Sequence, residues 1–234
     1  MKIAIMQPYF MPYIGYFQMI KTVDKFVVYD NIQFTKKGWI QRNRILNNGK
    51  DDLFSLSIQK DSDYLNIFER KLSTDFIEHN TKTLRKIESL YKKAPYFSEI
   101  MPLITKIFTY KSHQNLFDFL FYSLQEILKY LSISTEFIIS STIKIDHDLK
   151  SQDKVIAICK ELKAEQYINA IGGQELYKKE DFAKEGIQLD FIQPLPIEYS
   201  QFHHKFVPWL SIIDVLMFNS LEETNVMLSQ FELI

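Results

Sequence analysis

The sequence contains a single cysteine, Cys159, which excludes an internal disulfide framework and favours a reducing compartment. Because Cys159 ends the apolar run 155–159, we predict a buried helix residue rather than a nucleophile. The formal net charge of the 234 residues is −1. A chain without an overall basic field does not suggest nucleic acid or an anionic membrane surface as a partner.

Long apolar runs are also absent. The chain reaches polar Gln7 and Pro8 after one short strand's worth of apolar residues, which argues against a secretory signal. No stretch approaches the roughly 20 uninterrupted apolar residues of a membrane span. We therefore expect a cytoplasmic protein without membrane insertion.

The familiar catalytic motifs are missing as well. The 6 glycines include no G-x-G-x-x-G, and there is no G-x-S-x-G elbow, Walker loop, H-E-x-x-H or Cys-x-x-Cys. His79 and His113 have no partner at metal-ligand spacing, and His203 and His204 are adjacent, so that both would not easily reach one ion. We predict no metal, and no motif names a reaction.

What is present is a strand, turn and helix at the start of the chain. The apolar run 2–5 precedes a loop with two prolines and a glycine, a helix over 16–23 and a second strand over 25–29. A right-handed crossover makes the two strands parallel. Loops at the carboxyl ends of such strands are where α/β proteins place ligands. Candidate binding residues in this loop are Pro8, Tyr9, Tyr13, Gly15 and Tyr16, with Gln7 at its head.

Polar residues also follow the second strand. Asp30, Asn31 and Gln33 come first, and the segment 34–45 then places four cations around Trp39. These cations are Lys36, Lys37, Arg42 and Arg44. One interpretation is a phosphate clamp, in which an arginine binds in bidentate fashion and a lysine acts as a point charge. The other is a solvated loop, although its position after a strand favours the clamp.

The middle of the chain is helical in character. Residues 66–131 show helical spacing, and Pro95 and Pro102 mark predicted breaks. We predict one α/β domain over residues 1–234, with 66–131 as a helical insertion or subdomain. The aromatic-rich helices would suit a symmetrical homodimer.

Strands return at 135–139, 166–171 and 187–192, which predicts a Rossmann-like, mainly parallel sheet. Gly172 and Gly173 precede a predicted helix over 174–183. They either bind an anion at the N-terminus of that helix or form an ordinary turn. Ser211 and Asp214 interrupt an apolar helix on one face. They form either a buried pair or part of a site.

Several of these motifs together resemble one family. The motifs are Gln7-Pro8-x-x-x-Pro12-x-x-Gly15-Tyr16-Phe17, Val27-x-x-Asp30-x-x-Gln33-Phe34, Asn43-Arg44, Gly172-Gly173-x-x-Leu176-Tyr177 and Leu210-Ser211-Ile212-Ile213-Asp214. From end to end they resemble the WbqC-like family. The resemblance implies a place in O-antigen or other surface-polysaccharide gene clusters and transfer of a glycyl or other acyl unit to a sugar. The chain has Asp30-Asn31 where family members often carry paired aspartates.

A weaker similarity lies inside the opening loop. The segment 12–16 occupies the place where HIGH-motif nucleotidyltransferases and pantothenate synthetase, members of the HUP class, carry His-x-Gly-His. Tyr13 and Tyr16 replace the two histidines here. An adenine or phosphate cradle of this type would take its positive charge from the basic segment 36–44.

The leading hypothesis is therefore a transferase that moves an acyl or aminoacyl group onto an amino sugar. The expected partner is a nucleotide-linked sugar or another small molecule. Asp30 and Gln7 are the predicted catalytic residues, and Asp30 would accept a proton from the amine or orient it. The ligand would be bound by the loop residues Pro8, Tyr9, Tyr13, Gly15 and Tyr16, by Asn31 and Gln33, by Lys36, Lys37, Arg42 and Arg44, and by Asn43, Gly172, Gly173 and Tyr177. The cofactor is unknown, with ATP or an acyl donor as candidates. The alternatives are a non-catalytic nucleotide-sugar-binding or scaffold protein and an ATP-using nucleotidyltransferase-like enzyme.

Overall fold

The computed structural model describes residues 1–111 and 114–234. Its strands are β1 (Lys2–Met6), β2 (Lys25–Val28), β3 (Arg42–Asn47), β4 (Lys50–Ser55), β5 (Glu136–Ile139), β6 (Gln166–Ala170), β7 (Gln188–Pro194) and β8 (Phe231–Leu233). Six of them form one sheet in the order β5-β2-β1-β6-β7-β8, parallel except for β8. This order, with helices on both faces, confirms the predicted Rossmann-like α/β class.

The α-helices of the described residues are α1 (Ile14–Thr22), α2 (Phe76–Tyr91), α3 (Phe97–Phe108), α4 (Leu116–Tyr130), α5 (Ser151–Glu161), α6 (Lys179–Lys184), α7 (Ile212–Phe218) and α8 (Leu221–Met227). Helices α2 to α4 fall within 66–131, and the division of the chain into one domain with an insertion stays a prediction. The predicted break at Pro102 is wrong, because Pro102 lies inside α3. Its side chain is exposed, where water can satisfy the carbonyl that loses its partner.

The sheet separates two layers of core. Along β1, Ile3 and Ile5 face α5 and α6, whereas Ala4 faces the other layer, which contains α1, α3, α4 and α7. All three side chains are nearly inaccessible, as expected of a parallel strand covered on both faces. Cys159 belongs to the α5 layer, and its burial is confirmed. Burial raises the pKa of its thiol to about 12, so the thiol is neutral at pH 7.

The basic segment is more ordered than a loop. Arg42–Asn47 forms β3, which pairs antiparallel with β4 in a separate hairpin, so the prediction that the whole segment is a loop is wrong. The sequence Asn48-Gly49 is typical of a tight hairpin turn, and in the turn between β3 and β4 these residues have φ angles of 49° and 76°. Positive φ at both central residues is typical of a type I′ hairpin turn. Charged residues concealed the strand, since Arg42 and Arg44 alternate with the buried Asn43 and Ile45.

A buried carboxylate ties the hairpin to the helices. Asp214 in α7 is inaccessible to solvent and accepts hydrogen bonds from Tyr91 Oη at 2.7 Å, Tyr199 Oη at 2.7 Å and Gln201 Nε2 at 2.6 Å. Tyr91 Oη in turn accepts from the backbone N–H of Leu46 in β3 at 2.8 Å. Burial raises the pKa of Asp214, and the three donors oppose that rise. Of the two interpretations of Ser211 and Asp214, the structure shows the buried one.

We predict that Asp214→Ala strongly destabilises the fold. The substitution removes the acceptor of the Tyr91 and Tyr199 hydroxyls and one acceptor of Gln201 Nε2, which keeps the Val207 carbonyl oxygen. We expect a loss of about 3 to 5 kcal/mol in unfolding free energy. Denaturant unfolding followed by circular dichroism measures it. Glu88→Ala on the exposed face of α2 is the control and should unfold like the parent chain. Equal stability of the two variants would show that the Asp214 network is not a major stabilising element.

Candidate functional site

The candidate site lies where the order of the strands reverses. In the sheet, β2 and β5 lie on one side of β1, and β6 and β7 lie on the other side. The loops after β1 and β6 therefore leave in different directions and open a crevice between them. A cavity of about 250 Å³ occupies this position. Its walls include Met6 at the end of β1, Ala170 at the end of β6 and Pro194 at the end of β7. We call this cavity the switch-point pocket.

Aromatic side chains form much of the remaining wall. They are Tyr9, Tyr13, Tyr16, Trp39 and Trp209. The ring of Tyr9 lies 5.5 Å from that of Tyr16, and the ring of Tyr13 lies 5.6 Å from that of Trp209. The Tyr16 hydroxyl donates to the carbonyl oxygen of Gln7 at 2.8 Å, which fixes its ring. Faces of this kind suit a sugar ring or a planar base.

Tyr13 can occupy the pocket because residue 15 has no side chain. A Cβ atom on Gly15 would lie 2.1 Å from the Tyr13 hydroxyl oxygen and 2.3 Å from its Cζ. Both distances are far inside van der Waals contact. Gly15 therefore provides space for the Tyr13 ring at the start of α1.

The pocket tyrosines remain neutral at pH 7. Burial raises the pKa of Tyr13 to about 12. Burial also raises the pKa of Tyr9, and that of Tyr16 well above the ordinary value. The Tyr13 phenol can therefore donate a hydrogen bond to a ligand, whereas the hydroxyls of Tyr9 and Tyr16 already donate to Gln7. None of the three adds negative charge. An anionic ligand would meet no repulsion from them.

Arg44 provides the positive charge of the switch-point pocket. Its guanidinium lies 5.3 Å from the centre of the Trp39 ring, donates to the Trp209 carbonyl oxygen at 3.2 Å and pairs with Asp51 at 3.1 Å. Its Nε is buried and has no acceptor in the described chain. The neighbouring Asn43 donates to the carbonyl oxygen of Phe10 at 3.3 Å, which fastens β3 to the opening loop.

A second cavity adjoins the switch-point pocket. Its volume is about 640 Å³, and Tyr13, Pro194 and Trp209 line both spaces. Glu198 and Lys205 also line this adjoining cavity. A ligand too long for the switch-point pocket would therefore extend past the Tyr13 and Trp209 rings toward charged groups.

Comparison with known proteins gives the family. The model of the WbqC-like protein family matches residues 7–226. The chain belongs to the WbqC-like protein family. It is 28% identical over 220 residues to the uncharacterized protein Rv1507c of Mycobacterium tuberculosis, covering 92% of each chain. No solved structure matches this WbqC-like chain.

The predicted binding residues of this WbqC-like protein divide between two places. The switch-point pocket is lined by Tyr9, Tyr13, Gly15, Tyr16, Asn43 and Arg44. A separate cavity of about 690 Å³, which we call the β2-end cavity, is lined by Asn31, Gln33 and Tyr177. In the part of the chain that the structure describes, the two cavities share no lining residue. The residues predicted from the sequence to form one pocket therefore belong to two.

Three cations of the predicted clamp lie outside both cavities. Lys36 pairs with Asp63, and Lys37 is exposed. Arg42 donates to the carbonyl oxygens of Lys37 and Gly38, the latter at 3.1 Å. Phosphate binding by these three side chains stays a prediction, and their contacts favour a role in ordering the segment before β3.

Asp30, the predicted proton acceptor, is 2% exposed. Its carboxylate accepts from Ser140 Oγ at 2.8 Å, from the Ser141 backbone N–H at 2.9 Å and from Ser141 Oγ at 2.6 Å. These bonds join the carboxyl ends of β2 and β5. Asn31 lies 2.5 Å from Ser140 Oγ and 2.9 Å from His147 Nδ1 through its side chain. The geometry favours a positioning role for Asp30, and its catalytic role stays a prediction.

The other predicted residues near the strand ends make contacts within the protein. Gln7 Oε1 accepts from Tyr9 Oη at 3.4 Å, and Pro8 is buried. Gln33 Nε2 donates to the carbonyl oxygen of Asp63 at 2.9 Å. Gln7 therefore supports an aromatic wall of the switch-point pocket, and its catalytic role also stays a prediction.

The glycine pair does not open an α-helix. The predicted helix over 174–183 is divided into a 3₁₀ helix, Ile171–Leu176, and the short α6. Gly172 and Gly173 lie inside the 3₁₀ turn, so the helix-dipole argument for an anion there loses its basis. A Cβ atom on Gly173 would lie 2.4 Å from Asn169 Nδ2, whereas one on Gly172 would meet nothing within 4 Å. Gly173 is needed for close packing at the end of β6.

Metal-ligating side chains do not gather at either cavity. Within residues 1–111 and 114–234, no three His, Cys, Asp or Glu side chains could hold a metal ion together. His79 is half-buried with Nε2 2.7 Å from the carbonyl oxygen of Ser55, and His113 lies outside the described residues.

Within residues 1–111 and 114–234, no helix has the length and apolar character needed to cross a membrane.

Sequence reasoning missed several lining residues. Trp39 and Trp209 are exposed by 41% and 60%, and an exposed tryptophan next to a Pro/Gly loop is a usable signal for a site. Lys154 lines the β2-end cavity and falls one helical turn from the buried Ile158. A lysine on the apolar face of a helix is the signal that could have found it.

We predict that Gly15→Ala displaces the Tyr13 ring without unfolding the chain, since the far end of a side chain can move away from the new methyl group. Intrinsic fluorescence is the measurement, because both tryptophans of the chain line this pocket and the Trp209 ring would lose its neighbour. Gly172→Ala, whose Cβ has free space, is the matched control and should keep the parent spectrum. Identical spectra for both variants would contradict the spacing role of Gly15.

Proposed function

We propose that this WbqC-like protein binds a nucleotide-linked amino sugar at the switch-point pocket and transfers an acyl or aminoacyl group to its amine during surface-polysaccharide assembly. The observation that carries the proposal is the set of aromatic walls with Arg44 at the topological switch point. Crevices of this type are the usual ligand sites of open α/β sheets. Family membership supports the polysaccharide context.

The sizes of the two adjoining cavities fit a ligand of several parts. A volume of about 250 Å³ holds roughly one ring between Tyr9, Tyr16 and Trp39. The adjoining 640 Å³ receives the rest of the molecule beyond Tyr13 and Trp209. The Arg44 guanidinium can donate to phosphoryl oxygens, since its planar donors match their geometry.

The transfer itself requires few groups. The sugar amine forms a C–N bond to the acyl carbon, the bond from that carbon to its leaving group breaks with the electron pair, and the nitrogen loses one proton. Glu198 lines the adjoining cavity and is the carboxylate we assign to accept this proton. Asp30 acts by holding the strand ends in place.

A non-catalytic sugar-binding protein is the second candidate, and one observation favours it. Among residues 1–111 and 114–234, no carboxylate or imidazole lines the switch-point pocket, and Asp30 accepts three hydrogen bonds from Ser140 and Ser141. The nucleotidyltransferase alternative has less support. Neutral Tyr13 and Tyr16 cannot replace the charge of two histidines.

Two measurements separate the candidates. Titration with a uridine-diphosphate-linked amino sugar should quench tryptophan fluorescence if the switch-point pocket is the site. Mass spectrometry after adding acyl-coenzyme A or an aminoacyl donor then looks for the acylated sugar. Quenching with product supports the transferase, and quenching without product from any donor supports the binding protein. The absence of quenching by any nucleotide-linked amino sugar would contradict both.

We predict that Arg44→Met lowers the affinity for the nucleotide-linked sugar by about tenfold or more, because a charge-assisted hydrogen bond contributes roughly 1.5 to 3 kcal/mol. Fluorescence titration gives the dissociation constant. Arg85→Met on the exposed face of α2 removes the same charge elsewhere and should leave the constant unchanged. Equal losses in both variants would indicate a general effect of net charge rather than a contact with Arg44.

A further inference from the structure

The β2-end cavity has the features of a second ligand site. Its volume of about 690 Å³ lies within the range of roughly 300 to 1,000 Å³ of small-molecule sites. The lining combines the residues after β2, the segment 64–66, the first turn of α5 and the end of the 3₁₀ turn after β6. Its described lining residues differ from those of the switch-point pocket, so the proposal for this cavity does not rest on the proposed transfer.

Lys154 is the central charged group of this cavity. Only 6% of the residue is exposed, and Nζ lies 3.2 Å from the His147 carbonyl oxygen and 3.4 Å from the Asn31 carbonyl oxygen. The ammonium also lies 5.4 Å from the centre of the Tyr29 ring. An ammonium has three donors, so these two carbonyls leave one for a ligand in the cavity.

No carboxylate neutralises this lysine directly. Among the ion pairs of residues 1–111 and 114–234, none includes Lys154. Burial and the nearby Lys150 lower its pKa, whereas Asp30 and Asp148 favour the charged form more weakly. A buried cation without an ion-pair partner is costly. An anion in the cavity would offset that cost.

The first turn of α5 adds further donors at the same place. Lys150, at the N-cap position, makes no side-chain capping bond, so its side chain does not satisfy the first N–H groups of this helix. Lys150 and Ser151 both line the cavity. The positive end of the helix dipole and the Lys150 ammonium therefore reinforce the charge of Lys154.

The rim of the cavity is aromatic and apolar. Tyr64 is 85% exposed and Leu176 is 69% exposed, although both line the cavity. The fully buried Arg70 donates to the carbonyl oxygens of Ser62 at 2.9 Å and Gln59 at 3.1 Å, which orders the segment that carries Tyr64. Exposed apolar side chains at a cavity mouth suit the organic part of a ligand.

We propose that the β2-end cavity binds a phosphoryl group through Lys154 and Lys150 at the N-terminus of α5, with an attached sugar or similar small organic group against Tyr64 and Leu176. Two ammonium groups and a helix N-terminus match the double negative charge of a phosphate monoester. Asn31, Gln33 and Asn66 line the same cavity, and the amide donors and acceptors that their contacts with Ser140, His147, Asp63 and Glu69 leave open would serve sugar hydroxyls.

Isothermal titration calorimetry with inorganic phosphate, glucose 1-phosphate and unphosphorylated glucose, at constant ionic strength, tests the proposal. We expect binding of both phosphorylated probes, tighter for glucose 1-phosphate, and none of glucose. Tryptophan emission should stay unchanged, because both tryptophans line the other pocket. Absence of phosphate binding, or binding that quenches tryptophan emission, would overturn the assignment to this cavity.

Variants then locate the contact. Lys154→Met should weaken binding of glucose 1-phosphate by about tenfold or more, and Lys154→Arg should retain most of it. Lys144→Met removes an exposed lysine from the segment before α5 and should bind like the parent chain. If Lys154→Met does not fold, the exposed Lys150 provides the test through Lys150→Met, which should also weaken binding. If Lys154→Met folds and binds glucose 1-phosphate with parent-like affinity, the proposal is refuted. If only Lys150→Met can be tested, parent-like affinity of that variant refutes it.

Discussion

The buried carboxylate of Asp214 is the contact on which the arrangement of the site depends. It joins α7 to α2 through Tyr91 and to the segment after β7 through Tyr199 and Gln201. Tyr91 extends this connection to Leu46 in the hairpin. Because Arg44 belongs to the same strand as Leu46, one buried acid fixes the hairpin that brings Arg44 to the wall of the switch-point pocket.

The parallel sheet explains why two cavities form at one edge. The adjacent strands β2, β1 and β6 all end at the same edge of the sheet. The loops that leave them diverge because the crossovers lie on opposite faces of the sheet. The switch-point pocket lies between the ends of β1, β6 and β7, and the β2-end cavity lies beside the first turn of α5. The fold therefore forms two cavities at this edge, one with aromatic walls and one that contains Lys154.

Much of the sheet was predictable because its buried strands are short apolar runs followed by polar residues, as with Gln7 after β1 and Asp30 after β2. The hairpin was not, since Arg42 and Arg44 resemble a solvated segment until their buried neighbours are known. The division of the binding residues into two cavities was equally hidden. It depends on how the loops cross after folding, and sequence spacing carries no such information. Lys154 is an intermediate case: its position one turn from Ile158 was visible in the sequence, whereas its burial is a tertiary property.

Trp209 gives the switch-point pocket a mechanical property. Its φ angle is 62°, a conformation that costs a bulky residue about 1 to 3 kcal/mol. Arg44 holds this residue through a hydrogen bond to its carbonyl oxygen. A ligand that took that guanidinium as its own partner would release the peptide of Trp209 toward a relaxed conformation. Binding and the shape of the aromatic wall would then be thermodynamically linked, and strain released from the backbone would contribute to the affinity.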